Sequence, residues 1–523
     1  MFHIRTAITA SGATAVQVIR YRYRKRIVLK HIGSAHTKED LASLKKIAAQ
    51  WIERETRQQA LFSLDKKETY LPLVSIDKLR NLGFRYTFAY ETLTKLLRMF
   101  DLPYKEYQLL LDLVLIRIVQ PASKLESFAL LAELFDIHHD RNVFYRSLPT
   151  IVGAKESIEK SVIAVASTHF SFDFHIVFYD VTTLYFESFT EDEDKLDTDG
   201  NVIEKGLKKT GFSKDLKFNQ PQIVIGLIVN TDGFPISYEI FEGNTFEGDT
   251  FIPVITSFKK KHAIGSLTVV ADAAMISFSN IEKLKGNSLS YIVGGRIANL
   301  THGQMKEVGT MLIGQEPDEK ELKKKDGVST RIETERGLLV CDFSFKRYQK
   351  DKREMEKQIT KAKLQLEKND GAKRIKFLKN KDKKKTEQIL NIELIEKTKL
   401  LLGIKGYYTN LIDTDNKTIV DQYHNLWQVE KAFRIAKSDL QTRPIYHFNR
   451  QTIEAHILIC FMALTVCKYM ELKTKKSTKV IIKLLKQVTD ARILHTLTNE
   501  EIILRSEIST ETEKILKMLS LPH

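Results

Sequence analysis

The chain begins with short segments in which apolar and polar residues alternate. Residues 3–8 and 15–21 follow this two-residue period and are rich in β-branched side chains, which predicts β-strands. Apolar positions at helical spacing then predict a helix over 37–58. The segment YRYRKR at 21–26 interleaves aromatic and basic residues. It suits phosphate contacts with stacking, and it suits an edge strand protected by its charges at least as well.

Helical spacing dominates residues 86–168, with breaks at Pro121, Pro149 and Gly153. The stretch 121–135 is compatible with part of a helix-turn-helix DNA reader. Short helices of this kind are common in proteins that bind no DNA, so an ordinary helical region is the more frequent alternative. We therefore predict a helical region, with DNA binding as one interpretation of it.

From His175 onward the pattern changes to short, continuous apolar runs. The run HIVFYD predicts a buried strand that ends on Asp180, and 222–230 predicts a second strand. The turn sequence TDG at 231–233 leads into a hairpin partner at 235–241. A helix over 250–261, a strand over 266–272, a helix from Ser277 and a strand over 290–294 follow. This order predicts a mixed α/β sheet.

The later part of the chain interrupts this pattern and then becomes helical. β-like stretches at 329–343 and 406–420 surround a Lys-rich helical segment over 347–399, and helices are predicted from Asp421 to His523. We expect five regions, at these positions: an N-terminal β/α region at 1–80, a helical DNA-binding region at 81–170, a catalytic core at 171–295 and 421–470, an insertion domain at 296–420, and a C-terminal helical region, a candidate for dimerisation, at 471–523.

The net charge favours a polyanionic partner. Lys and Arg outnumber Asp and Glu by 82 to 66, which gives a formal charge of +16. A basic enzyme with solvated Lys-rich helices explains the charge equally well. The three cysteines, Cys341, Cys460 and Cys467, form no CxxC pair and have no His at zinc spacing, which argues against a disulfide framework or a zinc site.

Neither a secretion signal nor a membrane span is expected. The first ten residues lack a basic segment followed by an apolar core. The apolar stretch 457–466 is too short before Lys468 to cross a bilayer. We expect a cytoplasmic protein with no membrane partner.

Two aspartates stand where buried strands are predicted to end. Asp180 follows one apolar run and Asp272 follows another, TVVA. Core strands with carboxyl ends at one edge bring such side chains into one crevice, and hard divalent cations prefer carboxylate oxygens. Either aspartate alone is more simply a turn or capping residue. As a pair they favour a site.

A third carboxylate lies on a predicted helix over 423–437. Tyr423, Glu430 and Lys437 are seven residues apart and share one face, with Arg434 one turn beyond Glu430. Apolar residues beside this face form a stripe: Leu426, Val429, Phe433 and Ala436. Spacing alone is explained more simply by an amphipathic helix with a Glu430–Arg434 ion pair.

At these residues the chain resembles bacterial insertion-sequence transposases of the Asp-Asp-Glu (DDE) type, in the superfamily with the motif Tyr-x2-Arg-x3-Glu-x6-Lys. Tyr423, Glu430 and Lys437 match that motif, whereas Leu426 occupies its Arg position. Arg434 is a candidate to replace the missing charge. The resemblance extends in family order through further segments: 179–187 (YDVTTLYFE), 211–215 (GFSKD), 222–227 (QIVIGL), 232–235 (DGFP), 242–245 (EGNT), 271–275 (ADAAM) and 454–457 (EAHI).

The resemblance implies a ribonuclease-H-like catalytic core with a β-rich insertion between the second Asp and the Glu. It implies that Asp180, Asp272 and Glu430 are catalytic metal ligands for two Mg²⁺ ions, with Mn²⁺ as a substitute. It also implies that Tyr423, Lys437 and Arg434 contact double-stranded DNA. The expected partners are the element's terminal inverted repeats, target DNA and a second copy of the chain, in a nucleoid-associated bacterial protein.

Two other functions fit parts of the same pattern. A decayed or domesticated transposase would bind the repeats without cutting them, but all three carboxylates are present. Another ribonuclease-H-like, metal-dependent nuclease would share the core, since a fold does not determine its substrate. The sequence has neither a GxSxG elbow nor a GxxxxGK[ST] loop, which argues against an acyl hydrolase and a P-loop ATPase.

Overall fold

A computed structural model of the chain describes residues 1–59, 76–275, 277–314, 318–335, 337–368, 375–380 and 388–521. It divides into two compact units. Unit 1 consists of Met1–Lys95, Phe128–His139 and Lys479–His523, and unit 2 consists of Leu96–Ser127 and Asp140–Thr478.

Strands occur along most of the chain. The strands of the described residues are β1 Phe2–Ile8, β2 Thr14–Arg22, β3 Lys25–Ala35, β4 Leu79–Arg85, β5 Ile176–Tyr185, β6 Lys195–Leu196, β7 Val202–Glu204, β8 Gln222–Val229, β9 Pro235–Glu242, β10 Thr268–Ala271, β11 Ser290–Gly295, β12 Ser329–Thr334, β13 Gly337–Phe343, β14 Leu378–Asn380, β15 Gln388–Leu390, β16 Ile404–Thr409, β17 Asp490–His495 and β18 Glu500–Arg505.

Helices separate most of these strands. Their bounds are α1 Lys38–Gln59, α2 Thr87–Leu97, α3 Tyr104–Val119, α4 Lys124–Phe135, α5 Arg141–Gly153, α6 Lys155–Phe170, α7 Glu247–Lys261, α8 Phe278–Gly286, α9 His302–Leu312, α10 Glu319–Lys324, α11 Phe345–Lys368, α12 Ile392–Lys399, α13 Asn416–His424, α14 Trp427–Arg434, α15 Arg450–Thr474, α16 Thr478–Gln487 and α17 Thr510–Met518.

Unit 2 is built on a mixed sheet with the strand order β12-β13-β16-β11-β10-β5-β8-β9. Strand β10 pairs in parallel with both β5 and β11, whereas β5–β8 and β8–β9 are antiparallel. The predicted hairpin is present, because the Asn230 side chain accepts hydrogen bonds from the Asp232 and Phe234 amides at 3.0 and 2.8 Å. Gly233 provides the positive φ, 76°, that the turn requires. The prediction of a mixed α/β fold is confirmed.

Residues 296–420 contribute three strands to this same sheet. Strand β16 pairs with β11 on one side and with β13 on the other, and β12 continues beyond β13. The helix predicted over 347–399 is wrong in its second half, where β14 and β15 form a hairpin before α12. The β-like stretch predicted over 406–420 is also wrong after Thr409. Asp415 caps the N-terminus of α13, because its side chain accepts a hydrogen bond from the Thr418 amide.

Unit 1 contains two three-stranded sheets. In the first, β2 lies between β1 and β3, and α1 packs against them through a core that includes Val16, Val18, Ile32 and Leu44. The YRYRKR segment is therefore the tip of the β2–β3 hairpin, and its last two residues, Lys25 and Arg26, begin the edge strand β3. Tyr23 and Arg24 form its turn with φ of 49° and 61°.

The second sheet of unit 1 has the order β18-β17-β4. Its strands β17 and β18 contradict the prediction that the chain is helical from 421 to its end. The segment 490–505 is short and rich in Ile, Leu and Arg, so its periodicity alone does not distinguish a helix from strands. The pairing of β17 with β4 and β18 makes it part of a sheet.

Helix α15 is the central helix of unit 2 and packs on α3, α5 and β9. By length and composition it is apolar enough to cross a membrane, and 94% of its apolar window is buried inside the protein. No other described helix passes that test. The core helix of a globular protein has the same properties.

Candidate active site

The sheet places Asp180 and Asp272 side by side. Ala271 pairs with Tyr179 at the end of β10, so Asp272 and Asp180 occupy the next positions on two neighbouring parallel strands. Such strands lie about 4.8 Å apart. The prediction that β5 ends on Asp180 is wrong, because pairing with β8 continues through Asp180–Leu227 to Tyr185. Asp180 is nonetheless at the edge where β10 stops.

Asp180 is a half-buried carboxylate in a charged environment. The Val181 amide donates to its Oδ1 at 2.7 Å. Burial, together with the charges of Asp272 and Glu247, raises the pKa of Asp180 to about 6 against the opposing effects of Lys214 and the Val181 amide. The charge of Asp272 thus acts on the neighbouring Asp180 carboxyl.

We expect Asp180→Asn to stabilise the protein at neutral and alkaline pH. The pKa of this carboxyl is raised from 3.8 to about 6, so its ionisation opposes folding as the pH rises through that interval. Asparagine removes this cost and should increase the unfolding free energy at pH 8 by about 2 kcal/mol, with little difference at pH 4. Urea unfolding in EDTA at both pH values measures it. The exposed Asp413→Asn serves as a control, and an equal gain at both pH values would contradict the explanation.

Asp272 is exposed and is held by two donors. The Ala273 amide donates to its Oδ1 at 2.7 Å, and the Tyr423 hydroxyl donates to the same oxygen at 3.2 Å. Tyr423 itself is buried, with 4% of its surface exposed. Its hydroxyl therefore positions a carboxylate in this structure, and the expected contact with a DNA backbone stays a prediction.

The single helix predicted over 423–437 is wrong. Helix α13 ends at His424, and a tight turn follows in which the Leu426 amide bonds to the Tyr423 carbonyl and the Val429 amide to the Leu426 carbonyl. After α14, residues Ile435–Asp439 form a π-helix. The tight turn before α14 and the π-helix after it change the rotation per residue about the helix axis. Seven-residue spacing therefore does not keep Tyr423, Glu430 and Lys437 on one face.

Glu430 is an exposed residue of α14 that lies near Tyr423. Burial raises the pKa of Tyr423, and the charges of Asp272 and Glu430 raise it further. Glu430 is therefore close enough to Tyr423 for its charge to act on the Tyr423 hydroxyl, as the charge of Asp272 does.

Lys405 of β16 lies beside the site, and no pattern in the sequence selects it. Its Nζ lies 4.4 Å from the centre of the Tyr423 ring. Burial and Arg347 lower its pKa, while Asp342, Asp272 and Glu430 oppose that shift. A cation here faces two of the three predicted carboxylates. No local signal identifies it, because its position depends on β16 joining the sheet beside β11.

Lys437 is directed to another carboxylate, Asp215. The Lys437 Nζ lies 3.6 Å from Asp215 Oδ2, and Arg443 pairs with the same oxygen. The preceding residue, Lys214, donates to the Val181 carbonyl at 2.7 Å and pairs with Glu247 at 2.8 Å. The GFSKD segment thereby connects Lys437 to the surroundings of Asp180.

Leu426 is buried, with 6% of its surface exposed, and belongs to the core with Val429 and Phe433. A phosphate contact from this position is therefore excluded. Arg434 is exposed, and within the described residues it forms no ion pair with Glu430. Its role as a replacement for the motif's Arg stays a prediction.

The donor chemistry of the site suits a divalent cation. Asp180 and Asp272 each use only Oδ1 in hydrogen bonds within the described part of the chain, which leaves both Oδ2 atoms available. A cation between them would offset the repulsion that raises the pKa of Asp180. Among the described residues, however, no three acidic, His or Cys side chains converge closely enough to hold one ion. Glu430 would have to turn toward the two aspartates.

The structure thus defines a mixed α/β protein with two neighbouring aspartates and nearby lysines at one edge of its main sheet. Residues 176–466, more than half of the chain, match the family model described as the transposase DDE domain. The chain therefore belongs to the DDE transposases, enzymes that cleave DNA and transfer its strands. The family generally uses a divalent metal.

Two solved transposase complexes are similar to parts of the chain. A piggyBac transposase synaptic complex with hairpin DNA matches with a TM-score of 0.35 and 9% identity, over 84% of this chain and 75% of that one. A Mos1 transposase paired-end complex with the left transposon end matches with a TM-score of 0.15 and 15% identity, over 47% of this chain and 66% of that one. Neither similarity adds to the family assignment. No curated protein matches the chain.

Proposed function

We propose that Asp180, Asp272 and Glu430 are the catalytic carboxylates of this transposase, with two Mg²⁺ ions as cofactors and Mn²⁺ as a substitute. The observation that carries the proposal is the register of β5 and β10, which puts Asp180 beside Asp272. The assignment of Glu430 is supported by the pKa values of Tyr423 and Lys405, because the charges of Glu430 and Asp272 act on both.

The reaction consists of two displacements at phosphorus. Water attacks the phosphodiester at the element's end and leaves a 3′-hydroxyl and a 5′-phosphate. That hydroxyl then attacks target DNA and displaces another 3′-oxygen. Divalent ions at the carboxylates supply charge stabilisation for the attacking and leaving oxygens. The chain's own residues orient the carboxylates: Tyr423 and the Ala273 amide fix Asp272, and the Val181 amide fixes Asp180.

Basic residues around the carboxylates are proposed to hold the DNA backbone. The charges of Asp272 and Glu430 act on the pKa of Lys405, and the exposed Arg434 lies one helical turn from Glu430. The Lys437 ammonium group is already paired with Asp215. It would therefore contact DNA only when a phosphate replaces Asp215 as its partner. Such contacts position a strand but carry little sequence information.

The remaining proposals concern the fold of the catalytic core, the roles of the other regions of the chain and the location of the protein. The order β9-β8-β5-β10-β11, antiparallel up to β5 and parallel after it, supports a ribonuclease-H-like core. We propose that the region 81–170 binds the terminal inverted repeats, that 471–523 contributes to a homodimer, and that 296–420 is an insertion that also extends the core sheet. A nucleoid-associated location without membrane contact fits the net charge of +16.

Removal of divalent metal is expected to abolish cleavage and leave DNA binding intact. DNA carrying the element's end is incubated with the protein in Mg²⁺, in EDTA and in EDTA followed by excess Mg²⁺. We expect cleavage only in the first and third reactions, because carboxylates cannot provide the charge stabilisation alone. A DNA of the same length with a scrambled end is the control. Equal cleavage of both DNAs would identify a different nuclease, and cleavage in EDTA would overturn the metal-dependent mechanism.

A further inference from the structure

A polar cavity lies in unit 2, and none of the three proposed catalytic carboxylates lines it. It has a volume of about 270 Å³ and is bordered by the end of α3, the start of α4, the segment before α15, and α15 itself. Its lining includes five basic side chains and no acidic one: Arg117, Lys124, Arg443, His447 and His456. We call it the Arg117 pocket.

The basic side chains of the Arg117 pocket lack anionic partners, with one exception. Arg117 is 5% exposed, and within the described part of the chain its guanidinium has no hydrogen bond or ion pair. Lys124 lies over the Phe144 ring at 4.8 Å, and His456 contacts the Thr442 carbonyl at 3.0 Å. Only Arg443 has a carboxylate, that of Asp215. Arg117 therefore borders the pocket with a largely buried side chain and a guanidinium that no described carboxylate pairs with.

Such an arrangement offers an anion a charged donor group that no described protein group occupies. The guanidinium keeps its charge, because arginine does not lose its proton in a protein. The neighbouring groups respond in the expected direction. Burial and the charge of Arg117 lower the pKa of Lys124 to about 7, and burial and Lys124 lower the pKa of His447 to about 3. An anion in the pocket would oppose the part of these shifts that comes from the neighbouring positive charges.

Size and charge restrict the class of anion. A volume of about 270 Å³ is near the lower limit for small-molecule sites, so a large cofactor does not fit. Arg117 offers several donors in the planar arrangement that binds phosphate with two hydrogen bonds. A phosphate monoester carries nearly two negative charges at neutral pH and three free oxygens. A continuous DNA strand, by contrast, needs an open groove, and the deepest side chains here, Arg117 and His456, are 5% and 4% exposed.

We propose that the Arg117 pocket binds a phosphate monoester dianion. Two sources share this chemistry: the 5′-phosphate at a DNA end, which strand hydrolysis produces, and free inorganic phosphate. The site uses none of the three carboxylates, so it does not depend on their catalytic assignment.

The test compares binding of two short oligonucleotides that differ only in a 5′-phosphate or 5′-hydroxyl, with inorganic phosphate as a competitor, all in EDTA. Fluorescence anisotropy is measured for the unaltered chain and for Lys124→Gln. The exposed Lys105→Gln on α3 removes the same charge at a distance from the pocket and is the matched control. Arg117→Lys is a second variant that retains the charge but loses the planar donor group.

We expect the unaltered chain and Lys105→Gln to prefer the phosphorylated oligonucleotide by about tenfold, and Lys124→Gln and Arg117→Lys to lose that preference. If DNA shows no preference but inorganic phosphate, measured by calorimetry, binds the unaltered chain and not Lys124→Gln, the source is free phosphate. The proposal is overturned if Lys124→Gln changes the binding of neither the phosphorylated oligonucleotide nor inorganic phosphate. It is also overturned if Lys105→Gln weakens this binding as much as Lys124→Gln does.

Discussion

Asp180→Asn, Asp272→Asn and Glu430→Gln should each reduce strand cleavage by about a thousandfold or more. Each substitution keeps the side-chain size and removes one negative charge, so a divalent cation loses a ligand oxygen that carried charge. Several kcal/mol of transition-state stabilisation depend on such a cation, and each 1.36 kcal/mol corresponds to a factor of ten in rate. The measurement is single-turnover cleavage of end DNA in Mg²⁺, with DNA affinity determined separately.

Exposed acidic residues away from the sheet edge provide the controls. Asp413→Asn and Glu393→Gln remove the same charges at exposed positions and should cleave at the unaltered rate. Because Glu430 has not converged on the aspartates, its variant is the most informative of the three. If both aspartate variants fail and Glu430→Gln cleaves normally, the third ligand is wrong. Glu247, whose charge already acts on Asp180, would then be the next residue to test.

Glu159→Ala should lower the unfolding free energy by about 3 kcal/mol, the largest stability effect that we expect from a polar residue. Glu159 lies on α6 with 1% of its surface exposed. It accepts from Ser237 Oγ of β9 at 2.8 Å and pairs with Lys261 of α7 at 2.6 Å. Removing one partner of a buried pair leaves the other polar groups unsatisfied. The value is set toward the lower end of the usual range because Lys261 is 29% exposed and can rehydrate.

Glu156 on the same helix is the matched control for this effect. It forms an exposed pair with Lys160 at 2.8 Å, with side chains 61% and 65% exposed. Exposed pairs of this kind contribute little, so Glu156→Ala should leave the urea midpoint unchanged. Equal losses for the two variants would mean that helix propensity, and not the buried network, determines the result.

Local patterns predicted the central strands well, because their periodicity reports burial directly. The hairpin of β8 and β9 was predicted from two apolar runs around TDG, and it is present with Asn230 and Gly233 in the turn. The helix over 423–437 was predicted with a constant angle per residue. Its tight turn after His424 and its π-helix at Ile435–Asp439 follow from packing and are not visible in spacing.

The sequence by itself determined that an apolar strand precedes Asp272, that another contains Asp180, and that Glu430 has motif spacing with Tyr423 and Lys437. These features are local, since each depends on residues within a few positions of one another. Only the tertiary structure decided that β10 lies beside β5 in the register that makes Asp180 and Asp272 neighbours. It likewise decided that β16 carries Lys405 to that edge and that the buried Arg117 faces Lys124, His447 and His456. Strand order and helix packing join residues far apart in the chain, and no periodic pattern records which partner a buried face will meet.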